Sequence, residues 1–253
     1  MESIVKAATQ EKIICIITSI ALAVTYFIAG FAVCVGVPYV TQFLSEQNSV
    51  YESTPFTEQQ INKLAMATRD YTVGSHNLDA LMSEISKANA EASTQYAQAS
   101  QEELLTDVPD EYTLNESAIA HLDDVNELVS TLYFPMFGVV AIATFCFMAM
   151  FKMFGTKPVG KALFYSGVAV LIAFAVIGIC ALVGFSGFFA GIHALFFQPG
   201  TWVFPVDSLL ISMYPQSFWI GMGLCWLIVS CVLAALSIVF GRIILKRQTD
   251  SSK

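Results

Sequence analysis

The sequence predicts an all-α or mainly α membrane protein with four transmembrane helices, and three observations support this fold class. Hydrophobic residues make up 56% of the 253 residues, and the mean hydropathy is +0.65. Charged residues make up only 13%, about half the share in a typical soluble domain. Four segments each hold the roughly 20 apolar residues that a helix needs to cross a hydrocarbon core about 30 Å thick. Together these features predict a multi-pass membrane protein.

The four predicted spans cover residues 13–37, 132–151, 162–189 and 218–241. Lys6 and Lys12 precede the first span, as basic residues do in a secretory signal peptide. Its apolar run is longer than the usual ~7–15 residues, and no small-residue cleavage site follows it cleanly. We therefore predict a retained transmembrane helix. Four glycines are predicted to allow close helix packing, and they are Gly167, Gly178, Gly184 and Gly187.

The distribution of basic residues predicts the orientation of the spans. Basic residues favour the cytoplasmic side, and here they are concentrated in the turn between the second and third spans and in the C-terminal tail. They are Lys152, Lys157, Lys161, Arg242, Lys246, Arg247 and Lys253. Both termini are therefore predicted to be cytoplasmic, and residues 41–130, between the first two spans, are predicted to be extracytoplasmic.

Residues 41–130 form a predicted acidic head. They carry 16 acidic and three basic residues, a net charge of −13 against −8 for the whole chain. Nucleic-acid binding needs a basic patch, so we predict no nucleic-acid partner. The acidic head contains none of the six cysteines, which predicts that no disulfide holds it together. The cysteine spacings also match no metal-binding motif.

Helix signals divide the acidic head. Thr57 and Gln60 have capping-box spacing at the start of one helix. A second helix is predicted in "NLDALMSEISKA", where apolar residues recur at i, i+3, i+4 and i+7. Residues 88–111 are rich in Ala, Gln, Ser and Glu, which predicts an exposed helix or a partly mobile insertion. A further capping box, Thr113 and Glu116, begins a helix that continues into the second span.

This last helix carries the first candidate site residue, His121. At 100° per residue, His121 lies beside the apolar face formed by Val125 and Leu128, near the outer end of the second span. Asp124, three residues later, is within reach of the imidazole on the same side of the helix. The pair fits a functional site, and it also fits an inert His–Asp pair on a helix surface.

Residues 190–217 form a predicted re-entrant or interfacial segment that contains the second candidate, His193. The segment is apolar, but Pro and Gly residues interrupt it, so it is badly suited to crossing a bilayer. Aromatic side chains suit the headgroup zone of a membrane. The segment contains Phe196, Phe197, Trp202, Phe204 and Tyr214, and Trp219 follows just after it. A titratable side chain at this depth predicts a functional site, with a neutral packing histidine as the alternative. The third histidine, His76, lies in a polar turn and is predicted to face solvent.

Two motifs carry a resemblance to a known family: "AHLDDVNELV" before the second span, and "IHALFFQPGTWVFPVDSLLISMYPQSFW" before the last. They resemble a family of four-helix bacterial integral membrane proteins, one branch of which is the lipoprotein intramolecular transacylase. The resemblance implies a multi-pass protein of the bacterial cytoplasmic membrane with its active site on the extracytoplasmic side. It also implies an acyltransferase whose partners are a diacylated lipoprotein and membrane lipid. The reaction moves the sn-2 O-acyl chain of the diacylglyceryl-cysteine to the α-amino group of that cysteine.

The same resemblance implies the site residues. The two essential histidines of the family match His121 and His193. Its W…P…D…P pattern matches Trp202, Pro205, Asp207 and Pro215, and this sequence departs from the family pattern at Thr201, Gln216 and Trp219. We predict that Asp124 orients His121. The other predicted supporting residues are Asp207, Trp202 and Tyr214.

The predicted reaction is compatible with two histidines and needs no cofactor or metal. Ester-to-amide transfer requires a neutral amine, a proton donor for the departing glycerol oxygen and stabilisation of an oxyanion. An α-amino group titrates at about 7.7–8.0 and histidine at about 6.5, so proton exchange between them is almost thermoneutral. One histidine is predicted to be the base, and the other the acid or the oxyanion donor, with either assignment open.

Two other function classes stay open at the level of sequence. In a metal-dependent membrane hydrolase, His121, His193, Asp124 and Asp207 would be the metal ligands, although the H-E-x-x-H spacing is absent. In a non-enzymatic sensor or scaffold, the acidic head would bind a partner. A transporter is disfavoured because no charged residue lies within the four predicted spans.

Overall fold

The computed structural model of the chain describes residues 2–250, which form ten α-helices and no strand. The helices are α1 (Glu2–Gly36), α2 (Pro38–Asn48), α3 (Glu58–Val73), α4 (Leu78–Glu91), α5 (Gln101–Thr106), α6 (Glu116–Phe154), α7 (Thr156–Val183), α8 (Phe185–Phe196), α9 (Leu209–Met213) and α10 (Gln216–Asp250). Helices α1, α6, α7 and α10 are long and apolar enough to cross a membrane. The predicted all-α fold with four membrane-spanning helices is confirmed.

The chain divides into two compact units. The first, called here the bundle unit, consists of Met1–Val33, Leu132–Val183 and Cys225–Lys253. The second, called the head unit, consists of Cys34–Thr131 and Gly184–Leu224. The head unit therefore combines the acidic head with the predicted re-entrant segment. Both candidate histidines belong to it.

Aromatic stacking and close backbone approach hold the bundle unit together. The rings of Phe27 and Phe174 stack with centroids 4.8 Å apart, and the indole N–H of Trp226 donates to the Phe27 carbonyl oxygen at 2.9 Å. A Cβ on Gly167 would collide with the carbonyl oxygen of Ala234, so this glycine lets α7 approach α10. On the outside, large apolar side chains such as Leu182 (88% exposed) suit contact with lipid.

The prediction of close packing at four glycines is correct only at Gly167. Apart from each glycine's own adjoining backbone, no described atom lies within 4 Å of a Cβ placed on Gly178, Gly184 or Gly187. The sequence pattern missed two close approaches in the bundle unit. A Cβ on Gly30 would collide with the Ser230 hydroxyl, and Gly160 of α7 lies against Gly241 of α10.

The head unit has its own hydrophobic core, built by α3, α4, α5, the first turns of α6, and α9. Its largest fully buried side chains, each at most 2% exposed, are Ile61, Leu64, Leu81, Met82, Ile85, Leu104, Leu114, Leu209 and Met213. The predicted capping box is present, because the Thr57 hydroxyl accepts from the Gln60 amide N–H and the Gln60 side chain accepts from the Thr57 amide N–H. These helices also match the amphipathic stripes read from the sequence.

Residues 88–111 are folded onto the head core, which corrects the prediction of an exposed or partly mobile insertion. Helix α4 continues to Glu91, and Ser100 with Glu103 forms a capping box that starts α5. Leu104 is 1% exposed and Val108 is 6% exposed. Few large apolar residues occur in this stretch, but their placement on one side is sufficient to bury them.

Two helix ends also differ from the prediction. Helix α6 begins with Asn115 as its cap, because the Asn115 side-chain oxygen accepts from the Ala118 amide N–H at 2.9 Å. Among the described residues the buried Thr113 hydroxyl has no hydrogen-bond partner, so Thr113 is not the cap. The predicted third span, 162–189, is shared between α7 and α8, since the backbone becomes extended at Gly184.

Candidate active site

Helix α6 places His121 at the edge of the head core. Ala118, Ile119 and Leu122 on the same helix are buried in that core, and this register leaves His121 half-buried beside them. Its Nδ1 atom is fully buried and, within the part of the chain that the structure describes, has no hydrogen-bond partner. A buried nitrogen without a partner is costly, so this atom marks a position where a further polar group is suited to bind.

Helix α8 supplies His193 with a fixed ring orientation. The Nδ1 atom of His193 lies 2.9 Å from the Phe189 carbonyl oxygen, one helical turn earlier. A carbonyl oxygen only accepts hydrogen bonds, so Nδ1 must carry the proton, and in the neutral ring Nε2 keeps its lone pair. Burial lowers the pKa of His193 below its ordinary value, opposed in part by the hydrogen bond to Phe189. His193 is therefore a neutral proton acceptor at pH 7.

The two histidine rings lie together. Their centroids are 6.2 Å apart and their planes are inclined by 31°. Three phenylalanine rings surround the pair: Phe189 lies 4.0 Å from His193, Phe197 lies 5.1 Å from His121 and 5.5 Å from His193, and Phe204 lies 5.6 Å from His121. An apolar wall of this kind lowers the local dielectric and strengthens hydrogen bonds made inside it.

Trp202 completes this wall and adds an unpaired donor. Its ring centroid is 4.9 Å from that of His193. The indole Nε1–H is buried and finds no acceptor among residues 2–250. Indole nitrogen only donates, so the ring next to His193 carries a hydrogen-bond donor that no described residue satisfies. A donor of this type suits an oxygen that develops negative charge.

Trp202 lies in the loop of residues 197–208 between α8 and α9, and α9 ties this loop to the core that positions His121. Leu209 and Met213 are fully buried in the head core, and the Leu209 amide N–H donates to the Asp110 carbonyl oxygen at 2.7 Å. The Tyr214 hydroxyl donates to the Ala65 carbonyl oxygen, and burial raises the pKa of this phenol. Tyr214 thus holds the loop on α3, and its ring neighbours in the described chain are Phe218 and Trp219.

Neither predicted acidic support is hydrogen-bonded to the histidine pair in the described chain, but the Asp124 carboxylate acts on His121 through its charge. Burial and the neighbouring His193 lower the pKa of His121 to about 4, and the charge of Asp124 opposes them in part. Asp124 is exposed, and no hydrogen bond joins it to His121 in the described chain. Asp207 is also exposed, in the turn before α9. The described residues contain no group of three or more His, Cys, Asp or Glu side chains that could hold a metal ion. The surroundings of the two imidazoles are therefore mainly aromatic, with Asp124 as an exposed acidic neighbour of His121.

His76 is more constrained than its polar turn predicted. Its side chain is 42% exposed, but its ring stacks on Tyr71 with centroids 4.5 Å apart. Its Nε2 lies 3.7 Å from an Asp123 carboxylate oxygen that also accepts from the Tyr71 hydroxyl. His76 thus belongs to a separate polar cluster where α3 meets α6.

The fold and the site define a multi-pass, all-α membrane protein with an aromatic-walled pair of histidines in its head unit. The family model described as lipoprotein intramolecular transacylase Lit matches residues 12–219, and the chain belongs to this family. The resemblance read from the motifs is thereby confirmed, and so is the predicted enzyme class, lipoprotein intramolecular transacylase.

Solved structures of the Lit transacylase from Bacillus cereus have the same fold. One is similar to this chain with a TM-score of 0.72 at 14% identity, over 96% of this chain and 99% of that one. Structures of two variants with a histidine replaced, one by arginine and one by alanine, give TM-scores of 0.68 and 0.69 at 16% and 14% identity. They cover 99% and 98% of this chain, and 98% and 99% of those chains. At such low identity the likeness shows the fold alone. No curated protein sequence matches this chain.

Proposed function

We propose that this protein moves an O-linked acyl chain of a diacylated bacterial lipoprotein to the α-amino group of the lipoprotein's own N-terminal cysteine. The observation that carries the proposal is the pairing of His121 and His193, 6.2 Å apart, inside an aromatic wall. Two buried nitrogens at this wall, His121 Nδ1 and Trp202 Nε1, have no hydrogen-bond partner within the described chain. In the proposed reaction, an oxygen of the reacting ester is that partner.

His193 is assigned as the base. Its Nε2 takes a proton from the substrate amine as the amine nitrogen attacks the ester carbonyl carbon and the new C–N bond forms. The bond from that carbon to the glycerol oxygen then breaks, and the glycerol oxygen takes the proton from protonated His193. The ring returns to its neutral form, so protons balance over the cycle. Positioned acid–base catalysis of this kind contributes about 10²–10⁴-fold.

His121 and Trp202 are assigned as donors to the oxyanion. Both rings lie next to that of His193, and the assignment places the proton of neutral His121 on Nδ1. Neither donor needs to ionise to act. In a water-poor aromatic site, such donors stabilise the tetrahedral intermediate more than they stabilise the ground-state ester. This arrangement leaves the role of Asp124 as an orienting residue without a supporting contact, because no hydrogen bond joins it to His121 within residues 2–250.

No nucleophilic serine or cysteine is required. The ester and the amine belong to one substrate molecule, and holding them in attack geometry contributes up to ~7–11 kcal/mol. The sequence accordingly contains no G-x-S-x-G motif. The acyl chains lie against the aromatic wall. The basic residues around the α6–α7 junction and at the end of α10 support an orientation with the histidines on the extracytoplasmic side. Membership of a family that acts on bacterial lipoproteins supports the bacterial cytoplasmic membrane as the location.

The test is fragment-ion mass spectrometry of lipoprotein N-termini from cells with and without the protein. Intramolecular transfer leaves the total mass unchanged, so fragment ions must locate the acyl chains. We expect a shift from a free amine with two O-linked chains to an N-acyl, single-O-acyl form. The conversion should disappear in His193→Gln. Identical fragment patterns with and without the protein would overturn the proposal, and loss of one fatty acid from the mass would identify a hydrolase instead.

A further inference from the structure

A groove of ≈ 650 Å³ lies on the bundle unit between α1 and α7, and none of its lining residues belongs to the candidate active site. Its lining runs from Glu11 to Phe27 on α1 and from Lys161 to Ala173 on α7. At 1.5 Å per residue these stretches are about 18–24 Å long. One leaflet contributes roughly half of the ~30 Å hydrocarbon core, so the groove is long enough for one lipid of one leaflet.

The lining is polar at one end and apolar along its length. Lys12 and Lys161 line the polar end together with Glu11, which leaves a net charge of +1 there. No ion pair within 4.0 Å involves either lysine in the described chain. Tyr165, one turn after Lys161, lines the same groove and is 57% exposed. The remaining lining is largely small or branched, and includes Ile16, Ile20, Ala23, Val24, Ala169 and Ala173.

We propose that this groove is a binding site for an anionic glycerophospholipid of the surrounding membrane. The lipid phosphate lies between the ammonium groups of Lys12 and Lys161, which bind phosphate as point charges. Tyr165 lies at the level of the ester groups, where amphipathic aromatic rings are favoured. One acyl chain fills the space beside Ala169 and Ala173. A zwitterionic lipid with the same chains binds more weakly, because the ammonium group of its headgroup offsets the phosphate charge and is repelled by the lysines.

The first test compares two lipids that differ only in headgroup. The purified full-length protein in mild detergent is titrated with phosphatidylglycerol or phosphatidylcholine of identical acyl chains, and native mass spectrometry counts the bound lipid. A basic residue at a membrane surface contributes about a fivefold preference for anionic lipid, so the two lysines together contribute roughly 25-fold. We expect the double variant Lys12→Gln/Lys161→Gln to lose this preference. Lys157→Gln, on the same helix but outside the lining, should retain it.

A second test blocks the groove without changing its charge. Ala169→Phe places a ring in the lining and should abolish tight binding of phosphatidylglycerol. Ala141→Phe, at an exposed alanine of α6 outside the lining, is the matched control and should bind normally. Equal affinity of the wild-type protein for the two lipids would overturn the proposal. So would a preference for phosphatidylglycerol that survives in the double lysine variant, or unchanged binding by Ala169→Phe.

Discussion

Replacing Trp202 by phenylalanine separates the chemistry of the proposed site from its packing. Phenylalanine keeps an aromatic ring against His193, whose centroid lies 4.9 Å from that of the indole, but it removes the Nε1–H donor. Loss of one oxyanion donor lowers kcat by about 10²–10³, or ~2.7–4 kcal/mol of transition-state stabilisation. KM should change little, because the donor acts mainly on the developing negative charge.

Folding stability should move differently from activity in this variant. The Nε1–H is buried without a partner among the described residues, and such a group costs ~1–3 kcal/mol in the folded state. Its removal is favourable, while the smaller ring loses some packing, so we expect the free energy of unfolding to stay within about 1 kcal/mol of wild type. An indole that served only as packing would show the reverse pattern.

The assay combines turnover of a synthetic diacylglyceryl-cysteine peptide with denaturant unfolding of the same preparation. Trp219→Phe is the matched control, because its indole N–H already donates to the Tyr214 carbonyl oxygen at 3.1 Å and contacts neither histidine. It should keep nearly full activity. A Trp202→Phe enzyme with kcat within threefold of wild type, or one that loses activity only in proportion to unfolding, would refute the reasoning.

Three further predictions follow from the site and its support. His121→Gln and His193→Gln should each lower kcat by about 10²–10⁴. Because the pair acts as a unit, kcat of the double variant should be little lower than that of the worse single variant, and additive losses in peptide turnover would contradict this. Because burial lowers the pKa of His193, its ring should stay neutral as the pH falls to 6.5, and an NMR titration midpoint at or above about 6.5 would be inconsistent with the buried geometry. Met213→Ala, at a side chain that is 0% exposed, should lower the free energy of unfolding by ~2–5 kcal/mol, measured against Met153→Ala, whose side chain is 60% exposed.

The membrane-spanning helices could be predicted from length and apolarity, but some of their ends could not. The third predicted span continued to Phe189 because residues 184–189 are as apolar as those before them, and composition carries no signal for the extended backbone at Gly184. The reverse error occurred at residues 88–111. There the average composition is polar, and it concealed Leu104, which the tertiary structure buries.

The histidine pair could be predicted because only three histidines occur and two of them adjoin predicted spans. Helical spacing predicted that Asp124 reaches His121, and the charge of Asp124 does act on that imidazole. The exposed carboxylate nevertheless makes no hydrogen bond to His121 in the described chain, and spacing alone does not reveal this. The role of Tyr214 could not be predicted either. Its hydrogen bond to the Ala65 carbonyl oxygen joins residues 149 positions apart, and no local pattern encodes such a pairing.

Leu209 and Met213 belong to the head core and also anchor the loop that carries Trp202, so the proposed active site includes no loop that is independent of folding. A substitution at Ile85, remote in sequence from both histidines, would lower the yield of active protein without touching substrate. A screen that measures only the total amount of product would rank Ile85 beside His193. Dividing each variant's activity by its folded fraction is therefore what distinguishes residues that perform the transfer from residues that hold them in place.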